Sequence, residues 1–216
     1  MKLYKFRPLA NDVDFNQAKA ILETNHFWCS QFSELNDPME GVFYSRREIV
    51  DIIYSEKNKY KICSFSGKKA FENPTMWGYY ANGFKGMAIE IEEKESNVKK
   101  IDYVNDIPNF EALTADDEIK KILTTKSIPW TNEAEYRFLE KSESNFHGVG
   151  KITGVYFGNP YGDVANRQVI EKESGSLSKY KKLEEKLIKI AKDKGIKVYH
   201  VKIEESCKVK RAGSNL

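Results

Sequence analysis

The sequence predicts a single α+β domain with one mixed, mostly antiparallel sheet, helices packed on it and a C-terminal strand–helix–strand unit. A length of 216 residues suits one domain, and a hydrophobic content of 40% with 12 Tyr and 12 Phe suffices for a core. Apolar residues alternate in several short segments, as in half-buried strands, and recur at helical spacing in others. We expect the domain to span 1–209, with a frayed tail at 210–216.

Elements in the first half of the chain follow from alternation, helical spacing and turn-forming residues. Pro8 ends a first predicted strand at Lys2–Phe6. A second strand, Tyr60–Ser66, places Ser64 and Ser66 on one face. The other elements predicted here are helices at Asn16–Thr24 and Glu48–Glu56 and from Pro74 onward, a strand-like segment at His26–Ser30, a turn at Ser33–Pro38 and a strand at Met87–Glu92.

The second half ends in the predicted strand–helix–strand unit, whose order is typical of a crossover connection. Its strands are Ile152–Gly158 and Ile196–Ile203, and its helix, Leu177–Lys194, carries an apolar stripe surrounded by lysines. The elements predicted before this unit are a short strand at Asp102–Tyr103, an acidic helix at Ala115–Thr124 and a strand at Trp130–Leu139.

Composition narrows the class of protein. No charged-then-apolar leader and no long apolar run occur, so we expect a cytoplasmic protein that does not enter a membrane. The three cysteines Cys29, Cys63 and Cys207 lie far apart, which argues against a disulfide framework and against a zinc site. We therefore expect no bound metal.

Two glutamates in the segment W-T-N-E-A-E-Y-R are the strongest candidates for chemistry. Glu133 and Glu135 lie two residues apart in a predicted strand, so both would project from one face. Like charges on one face repel each other unless the face is solvated or the pair does chemistry. Arg137 shares the face, and a structural ion pair with Glu135 or an exposed strand edge would explain the pattern equally well.

Aromatic and polar residues upstream offer further candidates. Trp28, Asn36 and Asp37 could form a rim of stacking and hydrogen-bonding groups, or a core residue followed by an ordinary turn. Trp77 and Tyr80, in the helix predicted from Pro74, could bind a ligand or belong to the core. Phosphate-binding loops, dinucleotide fingerprints and a serine nucleophile elbow are absent from the sequence.

Several motifs together resemble one bacterial family, the domain of unknown function numbered 2971. The resemblance covers nearly the whole chain and implies a place among mobile or phage-defence gene sets, without an established activity. It is carried by L-Y-K-F-R at 3–7, F-W-C-S-Q-F-S-E-L-N-D-P-M-E at 27–40, S-F-S at 64–66, M-W-G-Y-Y-A-N-G-F-K-G-M-A-I-E-I at 76–91, W-T-N-E-A-E-Y-R at 130–137 and V-Y-F-G at 155–158.

The order of motifs is also similar to that of ADP-ribosyltransferases of the DNA- and RNA-modifying toxin type. The resemblance implies NAD as cofactor, Glu135 as the catalytic carboxylate, Glu133 beside the acceptor and Arg7 on the pyrophosphate. The family has Ser-Thr-Ser where this chain has S-F-S. The residues expected to bind the cofactor are Arg7, Ser64, Ser66, Trp77 and Tyr80, and those expected to bind the substrate are Trp28, Asn36, Asp37 and Arg137.

These observations predict an NAD-dependent toxin or phage-defence effector that acts on a macromolecule. A non-catalytic nucleic-acid- or protein-binding module is the alternative, using the aromatic residues and the basic helix with Lys181, Lys182 and Lys186. A nuclease is a third class, which would require Asp37, Glu40, Glu133 and Glu135 to converge on Mg²⁺.

Overall fold

The computed structural model describes residues 1–37, 39, 41–93, 97–110, 116–160, 175–204 and 206–212, and they form the predicted α+β fold. The helices are α1 (Asp12–Thr24), α2 (Arg47–Asn58), α3 (Lys68–Phe71), α4 (Pro74–Tyr80), α5 (Asp116–Leu123) and α6 (Gly175–Asp193). The strands are β1 (Lys2–Pro8), β2 (Phe27–Trp28), β3 (Tyr44–Ser45), β4 (Tyr60–Ser66), β5 (Gly86–Glu93), β6 (Val98–Lys100), β7 (Asp102–Val104), β8 (Asn109–Phe110), β9 (Thr125–Ser127), β10 (Glu135–Lys141), β11 (Phe146–His147), β12 (Gly150–Phe157), β13 (Lys197–Ile203) and β14 (Val209–Arg211).

One eight-stranded sheet organises the molecule, in the order β14-β13-β12-β5-β1-β4-β10-β6. Neighbouring strands pair antiparallel except β12 and β13, which pair in parallel. The helix α6 connects these two parallel strands, so the predicted C-terminal strand–helix–strand unit is confirmed.

Helices cover both faces of the sheet. On one face α1 and α6 bury an apolar core against β5, β12 and β4, in which Leu22, Phe65 and Leu187 take part. On the other face α3 and α4 cover one apolar cluster, and α2 and α5 cover a second. Sequence signals mark the helix starts: Asn11 and Asn73 cap α1 and α4 through their side chains, and Pro74 occupies the first turn of α4.

The centre of the sheet is split. The strands β1 and β4 are neighbours, yet they share only the pair Tyr4–Ser66. Beyond that pair, β1 remains bonded to β5, and β4 remains bonded to β10. The N-terminal end of β4 is bridged by Ser30 instead, through two backbone hydrogen bonds with Ile62 (2.9 and 2.8 Å). A gap therefore opens between Lys5–Arg7 and the middle of β4.

Two boundaries differ from the prediction. The strand expected at Trp130–Leu139 is wrong in its first half, because Ile128–Glu133 forms a 3₁₀ helix and the strand begins at Glu135. Ala134 joins them in a left-handed conformation (φ 41°, ψ 51°). The strand β14 includes Lys210 and Arg211, which belong to the segment predicted to be a frayed tail, while residues 213–216 lie outside the described residues. Among the described helices, none combines the length and apolar character needed to cross a membrane.

Candidate functional site

A cavity of about 1080 Å³ occupies the gap between β1 and β4. Side chains on opposite faces of the sheet reach it because the strands have separated there. Its walls come from β1, α1, the segment 26–36, β4, the end of α4, β9 and the segment 133–137. The predicted site residues that line it are Arg7, Trp28, Asn36, Ser64, Ser66, Tyr80, Glu133, Glu135 and Arg137.

The two glutamates share one buried cation. The Lys126 ammonium donates to Glu133 Oε2 (2.6 Å) and to Glu135 Oε2 (3.1 Å). Arg137 Nε donates to Glu135 Oε1 (2.7 Å), and its Nη1 donates to the carbonyl oxygen of Leu123 (2.6 Å). All four charged side chains are buried, so the predicted Glu135–Arg137 ion pair exists but does not lie at an exposed edge. Two positive and two negative charges balance within the cluster.

The environment separates the pKa values of the two carboxyl groups. Burial would raise the pKa of Glu135, but the charges of Arg137 and Lys126, with hydrogen bonds from Arg137 and Ser64, outweigh it and lower the pKa to about 2. Burial dominates at Glu133 and raises its pKa, despite the opposing hydrogen bonds from Lys126 and Tyr80. A firmly ionised carboxylate thus adjoins one that can take up a proton, the arrangement expected of an acid–base pair.

A chain of hydrogen bonds leads from the surface to this cluster. The exposed Asn36 donates from Nδ2 to the Tyr80 hydroxyl (2.8 Å), and that hydroxyl donates to Glu133 Oε1. On the opposite side, the backbone N–H of Glu135 donates to the hydroxyl oxygen of Tyr103 (2.9 Å). These contacts fix both glutamates in position and connect Glu133 with the outside of the cavity.

Arg7 and Lys5 provide the positive wall of the cavity. Arg7 donates through Nη2 to Gln17, but its Nε is buried and has no hydrogen-bond partner among the described residues. Burial lowers the pKa of Arg7, against the attraction of Asp14. Lys5 Nζ donates to the carbonyl oxygen of Ser64 (2.8 Å) across the gap. An unpaired buried guanidinium N–H in a cavity wall suits an anionic group of a ligand.

An aromatic pair forms one rim. Trp28 is 53% exposed and Phe146 is 57% exposed, and their rings meet edge to face with centroids 5.2 Å apart. The pairing of β2 with β11 brings them together. Large aromatic side chains left half in water at a cavity mouth are suited to stack on a planar group.

Two predicted residues do not reach the cavity. Trp77 is fully buried between Phe6 and Phe84, and its indole N–H donates to the carbonyl oxygen of Phe71 (2.8 Å), so it is a core residue with no face open to a ligand. Asp37 is also buried; its Oδ1 accepts from the backbone N–H of Met39 (2.9 Å), as in a turn, while its Oδ2 has no partner among the described residues.

Sequence reasoning missed several residues of the site. Lys126 lies in the short strand β9, and Gln17 lies on α1 far from the glutamates in sequence. Lys126 could have been found from the glutamate pair, because two neighbouring carboxylates that become buried require a cation nearby. Lys126 is the nearest basic residue upstream of the pair. Phe146 carried no recognisable pattern.

The arrangement does not resemble a divalent-metal site. Among the described residues no group of three or more His, Cys, Asp or Glu side chains could hold an ion. Glu133 and Glu135 are already paired with cations, and Asp37 does not line the cavity. Glu40, the fourth ligand required for a nuclease site, lies outside the described residues.

Comparison with known proteins identified no relative: no protein-family model matches the chain, and neither a curated protein nor a solved structure matches it.

Proposed function

We propose that this chain is a cytoplasmic NAD-dependent ADP-ribosyltransferase-like protein, a toxin or phage-defence effector that acts on a macromolecule, and that it belongs to the bacterial family of unknown function numbered 2971. One observation carries the proposal: Glu135, held ionised by Arg137 and Lys126, lies in a cavity of about 1080 Å³ whose opposite wall bears a partly unpaired Arg7. This volume slightly exceeds the usual range for small-molecule sites, about 300–1,000 Å³, and so suits an extended dinucleotide.

The reaction requires a carboxylate beside the ribose of NAD. The bond between ribose C1′ and the nicotinamide nitrogen breaks, and its electron pair leaves with nicotinamide. The ribose then carries an oxocarbenium-like charge, which the ionised Glu135 stabilises electrostatically. An acceptor hydroxyl or amine of the macromolecule attacks C1′ and loses a proton, and Glu133 accepts that proton because its raised pKa makes it the better base of the two.

The remaining walls suit the rest of the dinucleotide. Arg7 has a buried N–H available for a pyrophosphate oxygen, and the charge-assisted hydrogen bond is of the strong kind. Trp28 and Phe146 offer ring faces at the rim for a base. Ser64 lines the same cavity as Glu135 and contributes to the lowered pKa of that carboxyl group.

The test uses purified protein, labelled NAD and cell lysate, with Glu135→Gln as the principal variant. We expect the intact chain to release nicotinamide and transfer label, and the variant to lose about 100-fold or more of the rate. Glu140→Gln is the matched control, because Glu140 lies on the same strand, accepts a hydrogen bond from Asn97 and does not line the cavity.

Thermal melting of both variants separates a catalytic loss from misfolding. The proposal fails if the wild-type chain neither cleaves NAD nor transfers label, or if Glu135→Gln, folded as judged by its melt, retains the wild-type rate.

A non-catalytic binding module is the second candidate, and the exposure of Trp28 and Phe146 favours it. The basic helix contributes less than its composition suggests, because Lys181 pairs with the buried Glu184 (2.9 Å) and the apolar stripe of α6 faces the core. Binding of RNA or DNA that weakens with salt and is lost on neutralising Lys181, Lys182 and Lys186, without NAD cleavage, would favour this class.

A further inference from the structure

We propose that Cys29 and Cys63 form a reversible disulfide, a modification site beside the cavity that is independent of the proposed transferase activity. Peroxide is the oxidant that the site would meet. The two cysteines are 34 positions apart in the sequence, yet the fold places them side by side.

The backbone register carries this inference. Ser30 and Ile62 exchange both of their backbone hydrogen bonds (2.9 and 2.8 Å), so they are a hydrogen-bonded antiparallel pair. Extending this antiparallel register by one residue places Cys29 opposite Cys63. The bridge is an isolated one, and the N–H of Cys29 donates to the carbonyl oxygen of Asn145 (2.7 Å), so Cys29 and Cys63 occupy the adjacent position without exchanging backbone hydrogen bonds.

Such a pair has the geometry that a disulfide requires. Opposed residues in non-hydrogen-bonded positions lie about 4.5 Å apart between Cα atoms, and disulfides accept about 4.4–6.8 Å. Both side chains are buried in the same apolar cluster. The backbone therefore needs little or no movement to accommodate a bond between the two sulfur atoms.

The electrostatic environment prepares one thiol as a nucleophile. Hydrogen bonding with the Cys29 thiol lowers the pKa of Cys63; burial opposes this, and the charges of Lys5 and Arg7 reinforce it. The same hydrogen bond, together with burial, raises the pKa of Cys29. These opposite shifts favour Cys63 over Cys29 as the thiolate, as in reactive cysteine pairs.

Both cysteines are buried, and the neighbouring cavity offers the oxidant a route to them. The residues that flank them, Phe27, Trp28 and Ser30 on one side and Ile62 and Ser64 on the other, line its wall. The strand β2 is only two residues long and carries the exposed Trp28, and short, weakly covered segments open locally more readily than a core strand. Hydrogen peroxide is small enough to enter through such an opening.

The chemistry balances with peroxide alone. The Cys63 thiolate attacks one peroxide oxygen and becomes a sulfenic acid, and the departing hydroxide is protonated to water. The Cys29 sulfur then displaces the second oxygen as water, and its thiol proton accompanies that oxygen. Two thiols are oxidised and one peroxide is reduced to two waters. The product ties the segment bearing Trp28 to β4 by a covalent bond.

The experiment uses the full chain carrying Cys207→Ser, which removes the exposed third cysteine. The protein is treated with hydrogen peroxide, unreacted thiols are alkylated in denaturant, and peptides are mapped by mass spectrometry. We expect both remaining thiols to disappear, a peptide pair linked through Cys29 and Cys63 to appear, and dithiothreitol to restore both thiols.

Persistence of both thiols after peroxide, or their conversion to sulfinic acid without a linked peptide, would overturn the proposal. Cys29→Ala in the same background is the second variant, and we expect it to leave a sulfenic acid on Cys63 that reacts with dimedone. If that variant fails to fold, the linked peptide in the Cys207→Ser protein still decides the question.

Discussion

Replacing Lys126 by methionine would show how strongly the buried cluster depends on its central cation. Lys126 Nζ lies 2.6 Å from Glu133 and 3.1 Å from Glu135, and the lysine side chain is only 2% exposed. Its removal leaves two adjacent buried carboxylates with Arg137 as the remaining neighbouring cation in the cluster. Loss of one partner from a buried ion pair typically costs about 3–5 kcal/mol, because the charge left behind is uncompensated.

We expect this loss to appear in thermal unfolding. For a chain of this length each kcal/mol shifts the melting temperature by about 2–4 °C, so Lys126→Met should melt about 6–20 °C lower than the wild type. The pKa of Glu133, already raised in the folded state, should rise further without its cation. The folded variant then binds more protons than the unfolded chain, so its deficit should shrink as the pH falls from about 8 to about 5.

Lys68→Met is the matched control. Lys68 forms a surface ion pair with Glu72 at 3.6 Å and is 80% exposed, so its loss should cost less than about 1 kcal/mol. Equal and small shifts for the two variants would refute the reasoning, because Lys126 would then not be neutralising buried charge. A deficit that grows toward low pH would also contradict it.

Three further changes have definite expected outcomes. The pKa of Glu135, lowered to about 2, implies about 3 kcal/mol of folding stability that is lost as the pH falls from about 5 to about 2. The free energy of unfolding, measured with denaturant, should therefore depend less on pH in Glu135→Gln than in the wild type. An equal dependence in the two proteins would contradict this. Trp28→Ala should lower the melting temperature only slightly, because the side chain is 53% exposed and loses mainly its contact with Phe146. If a base stacks on Trp28, calorimetry should show NAD binding weakened by about 5- to 150-fold, whereas unchanged affinity would remove Trp28 from the binding surface. Gly158→Ala should destabilise the fold by about 1–3 kcal/mol or more, because the added Cβ would lie 2.1 Å from the carbonyl oxygen of Phe84. Gly78→Ala, which meets nothing within 4 Å, is the control and should be neutral or stabilising in the same melts.

Local pattern predicted the regular elements well. The strand Tyr60–Ser66 has the bounds expected from its alternation, and α4 begins at the Asn-Pro step as predicted. Both signals act within a few residues: alternation reflects one buried face, and a capping side chain followed by proline starts a helix. Strands of two or three residues, such as β3 and β11, were missed because so few residues show no recognisable alternation of apolar and polar side chains.

The segment before Glu135 shows where a pattern misleads. W-T-N-E reads as a continuation of the strand, but Pro129 stands in the first turn of a 3₁₀ helix, and Ala134 adopts positive φ. The glutamates still meet, although not by alternation along one strand. They converge because each binds the same ammonium from β9, a contact between distant segments that spacing in sequence does not encode.

The cavity could not be predicted from local sequence patterns either, because it also depends on contacts between distant segments. Arg7 and Glu135 were proposed as parts of one site, and both line it, but nothing in either segment indicated that β1 and β4 would separate. Trp77 shows the opposite error: a helical aromatic stripe is compatible with a core or a ligand surface, and only the packing of Phe6 and Phe84 distinguishes them.

The single Tyr4–Ser66 pair has a mechanical consequence for the molecule. The large sheet consists of two panels that are joined by this one residue pair. The panels are β14-β13-β12-β5-β1 and β4-β10-β6. Along this seam the backbone hydrogen bonds of the sheet are interrupted. The two panels are held together there by the Lys5–Ser64 hydrogen bond and by the apolar core that β4, β5 and β12 share. Because residues of both panels line the cavity, we expect a bound ligand to bridge them and to stabilise the sheet where its own hydrogen bonds are missing.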